Sequence, residues 1–261
     1  MKEKLEAAKA VLEKHGQEQL LANYEKLSEN DKDKLLDDIL TIDFNQLEKL
    51  YEKRNFKQVY SEAEIEPISY VEKDKMSKEE REKYDEIGTK AIKAGKLAAV
   101  TMAGGQGTRL GHNGPKGTFD IGLESHKPIF ELLCETLKLA NEKYGVVIPW
   151  YIMTSKENNK DTVDFFEKNN YFGYPKGYIQ FFKQGELPMV GEDGKVLLDE
   201  KGMIKQAADG HGGIFTSMRK DGVIYDMKAR GIEWVFIGGV DNVLVKMVDP
   251  TLIGLAESKG I

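Results

Sequence analysis

The spacing of apolar positions changes once along the chain. Up to about Gly95, apolar residues recur at helical intervals among charged ones. Leu20, Leu21, Tyr24 and Leu27 share one face, then Leu35, Leu36, Ile39 and Leu40, then Phe44, Leu47, Leu50 and Tyr51. Ser77-Lys-Glu-Glu80 supplies a capping box for a further helix, and Gly95 a natural stop for it. From Lys96 onward, apolar runs of strand length alternate with helical segments. "LAAVTM" (97–102), "VVIPWYIMT" (146–154), "YIQFFK" (178–183) and "EWVFIGGV" (233–240) predict strands. "PIFELLCETLKLANEKYG" and "NNKDTVDFFEKNN" predict the helices between them. This alternation predicts an α/β fold with a mixed, mainly parallel sheet, preceded by a helical region. "VGEDGKVLLDEKGMIK" has Asp-Gly and Lys-Gly turn signals around short apolar runs, so a hairpin or long loop interrupts the pattern there. The expected division is a helical region over 1–95 and a sheet domain over 96–261.

Composition narrows the classes of function. The 261 residues, 40% hydrophobic, suffice for one substantial core. A net charge of -6 and the lack of any basic stripe interleaved with aromatics disfavour nucleic-acid binding. Nearly all of the net negative charge lies before Lys96, on the polar faces of the helices. The N-terminus has no signal-like apolar core, and no window of about 20 residues is apolar enough to span a membrane. The single cysteine, Cys134, fits a reducing compartment and reads as a buried small apolar residue. A cytoplasmic protein, monomeric and without a membrane partner, is expected. His15, His112 and His126 show no ligand spacing and read as surface residues.

The chemistry concentrates in "AAVTMAGGQGTRLGHNGPKG" (98–117), where six glycines and two cations follow a predicted strand. A phosphate-binding P-loop requires Lys followed by Ser or Thr after its last glycine; here Pro115 precedes Lys116 and Gly117 follows it. The dinucleotide fingerprint G-x-G-x-x-G misses by one residue, because Gly111 rather than Leu110 closes the pattern. A looser glycine pattern, and with it an NADP-dependent oxidoreductase, remains an alternative. What the residues offer is a loop whose backbone N–H groups can approach a ligand closely, followed by a guanidinium fork and a point charge. That suits a nucleoside triphosphate.

The same stretch resembles the signature of the eukaryotic-type UDP-sugar pyrophosphorylases: a strand, a glycine-rich GTRLG loop, then Pro-Lys-Gly. "WYIMTS" (150–155), "YFGY" (171–174), "FFKQGELP" (181–188), "AADGHGGIF" (207–215) and "VDNVLVKMVDP" (240–250) extend the resemblance in the same order. It is nearest to the N-acetylglucosamine branch of that family and its bacterial uridylyltransferase relatives. The resemblance implies a Rossmann-like nucleotidyltransferase fold of the GT-A-like kind, and formation of a UDP-sugar and pyrophosphate from UTP and a sugar 1-phosphate.

The resemblance also assigns residues. Ala103, Gly104 and Gly105 would lie against uracil and ribose, and Arg109 and Lys116 would hold the triphosphate, with Lys116 near the phosphorus under attack. Gln184 would hydrogen-bond the uracil edge, since its amide carries a donor and an acceptor together. Gly210 would offer a backbone contact, and His211, Gly212 and Asn242 would complete the substrate site. Asp241, expected at the carboxyl end of a parallel strand, would hold Mg²⁺ or Mn²⁺. Asp249, before Pro250, reads instead as a helix cap. His211 stands where the family patterns diverge, leaving the sugar open. Family members continue well beyond this length, so the chain resembles their N-terminal portion. It is expected to keep much of the uridine half-site and to lack full activity, a nucleotide-binding fragment being the alternative to an enzyme.

Overall fold

The computed structural model describes residues 1–55 and 65–260. In chain order the elements are helices α1 (Lys2–His15), α2 (Glu29–Thr41), α3 (Phe44–Glu52) and α4 (Lys78–Lys93). Strand β1 (Leu97–Met102), α5 (Ile129–Tyr144), β2 (Trp150–Thr154), α6 (Asn159–Lys168) and β3 (Ile179–Lys183) come next. After them come β4 (Glu186–Pro188), β5 (Gln206–Ala208), α7 (Ile214–Lys220), α8 (Val223–Ala229), β6 (Trp234–Gly239) and α9 (Pro250–Lys259). Two compact units emerge: 1–69 with 186–208, and 70–185 with 209–261. The expected boundary at residue 95 differs from this division because α4 packs within the sheet unit, and because the predicted hairpin joins the N-terminal helices.

In the first unit, Leu12, Leu20, Leu35, Leu36 and Ile39 form a core closed by Val196 and Ile204 of the insertion. The insertion is hairpin-like, with bridges Val190–Val196 and Leu198–Ile204 beyond the β4–β5 pair. Gln17 explains how it docks. Its buried amide donates to the Gly194 carbonyl at 3.0 Å and accepts from the Val196 N–H at 2.9 Å, replacing the backbone of an absent strand. Residues 18–27 form two short 3-10 turns, Glu18–Leu21 and Tyr24–Lys26, rather than the continuous helix face their spacing predicts. Leu40 and Leu50 are exposed, and the Tyr51 hydroxyl donates to the Glu192 carbonyl of the insertion. His15 is another departure: only 8% of its side chain is exposed, with Nδ1 2.8 Å from Glu48.

The second unit holds a four-stranded sheet, order β3-β2-β1-β6, parallel throughout. The capping box at Ser77 forms as expected, and β1 matches its predicted span. Pro149 delays β2 to Trp150, because proline brings no N–H to a ladder. One sheet face packs on Phe166, whose ring meets Phe130, Trp150 and Phe181 at centroid separations of 4.9, 5.6 and 5.1 Å. Cys134 is buried there, and burial pushes its thiol up to about 12, so the apolar reading of this residue stands. Among the described residues, no helix is long and apolar enough to cross a membrane.

Asp249 caps α9 as the sequence suggests, accepting from the N–H groups of Thr251 at 3.0 Å and Leu252 at 3.3 Å while Lys73 donates to it at 2.6 Å. Burial pulls its carboxyl upward, but the Lys73 ammonium and the two N–H groups outweigh this and hold it below the usual carboxylate range. A depressed carboxyl contributes stability that is complete above its unfolded pKa and lost as pH falls through the folded one. Stability is thus expected to decline as pH drops below about 4, and Asp249→Asn to flatten part of that decline. Urea unfolding across the acid range checks this; an unchanged acid limb in the variant would refute it.

Candidate functional site

Parallel strands place all their carboxyl ends along one edge. From β1 the chain moves outward through β2 to β3, then returns to lay β6 on the other side of β1. The switch point therefore lies between β1 and β6, the place where open α/β sheets bind ligands. The loops after β1 and β6 bring Lys116 and Asp241 together there, Nζ to Oδ1 at 2.8 Å. Lys116 is 22% exposed and Asp241 67%, so the pair opens to solvent on the carboxylate side.

The glycine-rich loop folds back on itself. Gly107 N–H donates to the Gly114 carbonyl at 2.9 Å and Lys116 N–H to Gly105 at 3.1 Å, with a bridge between Gln106 and Pro115. The N–H groups of Gly104, Gly105 and Arg109 donate to no backbone carbonyl among the described residues. Arg109 sits exposed on the short Thr108–Leu110 turn and forms no ion pair among the described residues.

The absence of a side chain at Gly104 leaves room for Gln184. A Cβ there would lie 2.6 Å from Gln184 Oε1. Gln184 is 8% exposed; its N–H donates to the Thr154 carbonyl at 2.7 Å and its Nε2 to the Gly210 carbonyl at 2.9 Å. Gly210 in turn adopts φ 74, ψ -174, a conformation open essentially to glycine alone. Three residues singled out in the sequence thus meet at one edge: Gly104, Gln184 and Gly210. Ala103 is buried behind them, its N–H donating to Met153 at 2.7 Å. His211 and Gly212 are exposed on the next turn. Asn242 spends its side chain locally, accepting from the Leu244 N–H at 3.2 Å, so it shapes the loop after β6.

Three residues were not anticipated. Asn158, fully buried, donates from Nδ2 to the carbonyls of Ala103 at 3.1 Å and Gly105 at 3.3 Å, and accepts from Ser155 N–H at 2.9 Å. It ties the start of the glycine loop to the loop after β2. Asp209 wedges its carboxylate between Gly185 and Gly213, where an added Cβ would come within 2.3 and 2.0 Å of Oδ2. His112, expected at the surface, instead packs its ring over Gly107 and meets Phe119 at 5.5 Å, because the folded loop encloses it. His126 matches the surface reading, 79% exposed and paired with Asp120.

The family model described as UTP–glucose-1-phosphate uridylyltransferase matches residues 43–261. The chain belongs to this family. It is 38% identical to UDP-N-acetylglucosamine diphosphorylase 2 of Arabidopsis thaliana, covering 93% of this chain and 51% of the relative. It is likewise 38% identical to the UDP-N-acetylglucosamine pyrophosphorylase of Saccharomyces cerevisiae, over 94% of this chain and 54% of that one. The chain therefore spans about half the length of the curated relatives it matches. Its fold is similar to that of the uridine diphosphate N-acetylglucosamine pyrophosphorylase from Trypanosoma brucei, solved with an inhibitor. That likeness has a TM-score of 0.78 at 28% identity, covering all of this chain (100%) and 55% of the other. The expected family is thereby shown, and with it the nucleotidyltransferase fold.

Proposed function

We propose that this chain carries the uridine-binding half of a uridylyltransferase that converts UTP and a sugar 1-phosphate into UDP-sugar and pyrophosphate. The observation that carries the reading is the convergence of Gly104, Gln184 and Gly210 beside the Lys116–Asp241 pair at the switch point. A uracil edge presents acceptor, donor, acceptor. The Gly104 and Gly105 N–H groups, which donate to no backbone carbonyl among the described residues, and Gln184 Oε1, close to Gly104, would supply the complementary donors and acceptor, which a cytosine edge would not match. Ala103 supports this wall from behind. The names of the relatives favour N-acetylglucosamine 1-phosphate over hexose 1-phosphates as the second substrate, with His211, Gly212 and Asn242 on the rim toward it.

A sugar phosphate oxygen would attack the α-phosphorus in line and expel pyrophosphate. Its nucleophile is already anionic, so the protein's part is positioning and charge neutralisation. Lys116 would hold an oxygen of the phosphate under attack, and Arg109 would reach the outer phosphates as a fork. The donor set also fits a hard cation. Magnesium uses one or two carboxylates and takes its remaining ligands from water and phosphate, and Asp241 is an exposed carboxylate beside the expected phosphates. Mg²⁺ or Mn²⁺ held there would neutralise charge on the phosphate oxygens. The buried cysteine is consistent with a cytoplasmic setting.

Calorimetry with UTP, CTP and NADP, with and without Mg²⁺, tests the reading. UTP is expected to bind at one site, more tightly with Mg²⁺, while CTP and NADP give no heat. Pyrophosphate release with N-acetylglucosamine 1-phosphate then separates an enzyme from a binding fragment. A chain that binds NADP and ignores UTP overturns the reading.

A further inference from the structure

The His112 side chain makes its hydrogen bond to the segment that carries Lys116. Its Nε2 lies 2.7 Å from Thr118 Oγ1, and that hydroxyl donates its one proton to the Pro115 carbonyl at 2.8 Å. The hydroxyl must then accept from the imidazole, so Nε2 carries the hydrogen. The resulting chain, His112 to Thr118 to Pro115, brackets Lys116 from both sides in sequence. On its other side the ring is pressed against the loop's own backbone. A Cβ at Gly107 would fall 2.8 Å from His112 Cβ and Cδ2, and one at Gly114 would fall 3.2 Å from Nε2. The ring also meets Phe119, which packs against the main core, at 5.5 Å. Finally the His112 N–H donates to the Gly107 carbonyl at 3.1 Å. The imidazole is the filling of a ring of backbone closed by Gly107 and Gly114.

We propose that His112 is a positioning residue that fixes the backbone of Lys116, and hence its ammonium, at the place where the phosphates of the nucleotide bind. The inference rests on the reading of this loop as a nucleotide cradle. It acts on the phosphate end, because the Gly105 carbonyl that accepts from the Lys116 N–H at 3.1 Å is also held by Asn158 Nδ2 at 3.3 Å, a bond that does not involve His112. The base-facing group of Gly104, Gln184 and Gly210 is held by other bonds, from Asn158 and from Gln184 itself. Loss of the imidazole's hydrogen bond should therefore loosen Lys116 and leave the uracil contacts in place.

The two ends can be separated by comparing uridine with UTP. His112→Phe keeps a ring against Gly107 and Phe119 and removes the donor; His112→Gln keeps an N–H donor of similar reach; Thr118→Val breaks the chain one link further on. In calorimetry on the full chain, His112→Phe and Thr118→Val are expected to weaken UTP about tenfold and leave uridine unchanged, while His112→Gln restores most of the UTP affinity. A purely structural role would lower the affinities for uridine and UTP together, along with the melting temperature, and would sink the proposal. So would wild-type UTP affinity in both His112→Phe and Thr118→Val. A wild-type chain that binds neither ligand overturns the nucleotide reading itself and the proposal with it, a result distinct from selective failure of the variants.

Discussion

Lys116→Ala is expected to weaken UTP binding by about 10- to 150-fold, the usual worth of a hydrogen bond to a charged group, while uridine binds as before. The direction follows from the geometry at the switch point. Lys116 is largely buried and its present partner is a single carboxylate, Asp241, open to solvent at 67% exposure. Such a half-exposed pair contributes little to stability, so removing the lysine should barely affect folding. Its effect on an incoming polyanion is larger, because the variant leaves Asp241 uncompensated beside the phosphates. The companion substitution works in the opposite sense. Asp241→Asn frees Lys116 and removes the repelling carboxylate, so UTP affinity measured without a divalent cation should rise, and the gain from adding Mg²⁺ should shrink. Titrations of both variants with and without Mg²⁺ check the pair. Wild-type UTP affinity in Lys116→Ala would remove this residue from the phosphate site.

What could be read from the chain beforehand divides along a physical line. Local and periodic signals transferred well: β1 occupies 97–102 as its apolar run indicates, the Ser77 capping box forms, and Asp249 caps α9. Residues made distinctive by the ordered motifs, Gly104, Gln184 and Gly210 among them, assemble at one sheet edge. Asn158 was invisible because its signal is a contact. A lone asparagine before a helix reads as an ordinary cap, and only the fold shows that its amide spans to carbonyls more than fifty residues earlier. The place of His112 is hidden for the same reason, since a histidine in a glycine-rich loop looks solvated in the sequence and only the fold sets its Nε2 2.7 Å from the Thr118 hydroxyl. Gln17 likewise bonds to a hairpin 177 and 179 positions away. The position of α4 within the sheet unit depends on a pair of residues with no shared local pattern at all, Gly88 and Gly254.

Those two glycines should give the largest stability effects in the molecule. An alanine in place of a glycine inside a helix ordinarily stabilises by about 0.8–1.0 kcal/mol through backbone entropy, so the first expectation for Gly88→Ala is a gain. The packing of α4 on α9 reverses the sign. A Cβ at Gly88 would stand 1.9 Å from the Pro250 carbonyl oxygen and 2.9 Å from the Gly254 nitrogen. Reciprocally, a Cβ at Gly254 would stand 1.9 Å from the Tyr84 carbonyl oxygen and 3.0 Å from the Gly88 nitrogen. Non-bonded carbon atoms settle near 3.5–4.0 Å, roughly, and here the obstacles are backbone atoms that no rotamer change can move. The helices must part. Each substitution is expected to cost about 3 kcal/mol, the upper end for overpacking, and to lower the melting temperature by about 6–12 °C for a unit of this size. Because one separation relieves both clashes, Gly88→Ala with Gly254→Ala should cost clearly less than the two single effects added together. Thermal unfolding of the two single variants and the double variant decides the matter: strict additivity, or a rise in melting temperature for either single variant, would show that the helices do not meet backbone to backbone. The consequence reaches the site, since α9 anchors the far end of the loop that carries Asp241. A gap opened at Gly88 should therefore also weaken the Mg²⁺-dependent part of UTP binding, and do so without touching a residue that faces the nucleotide.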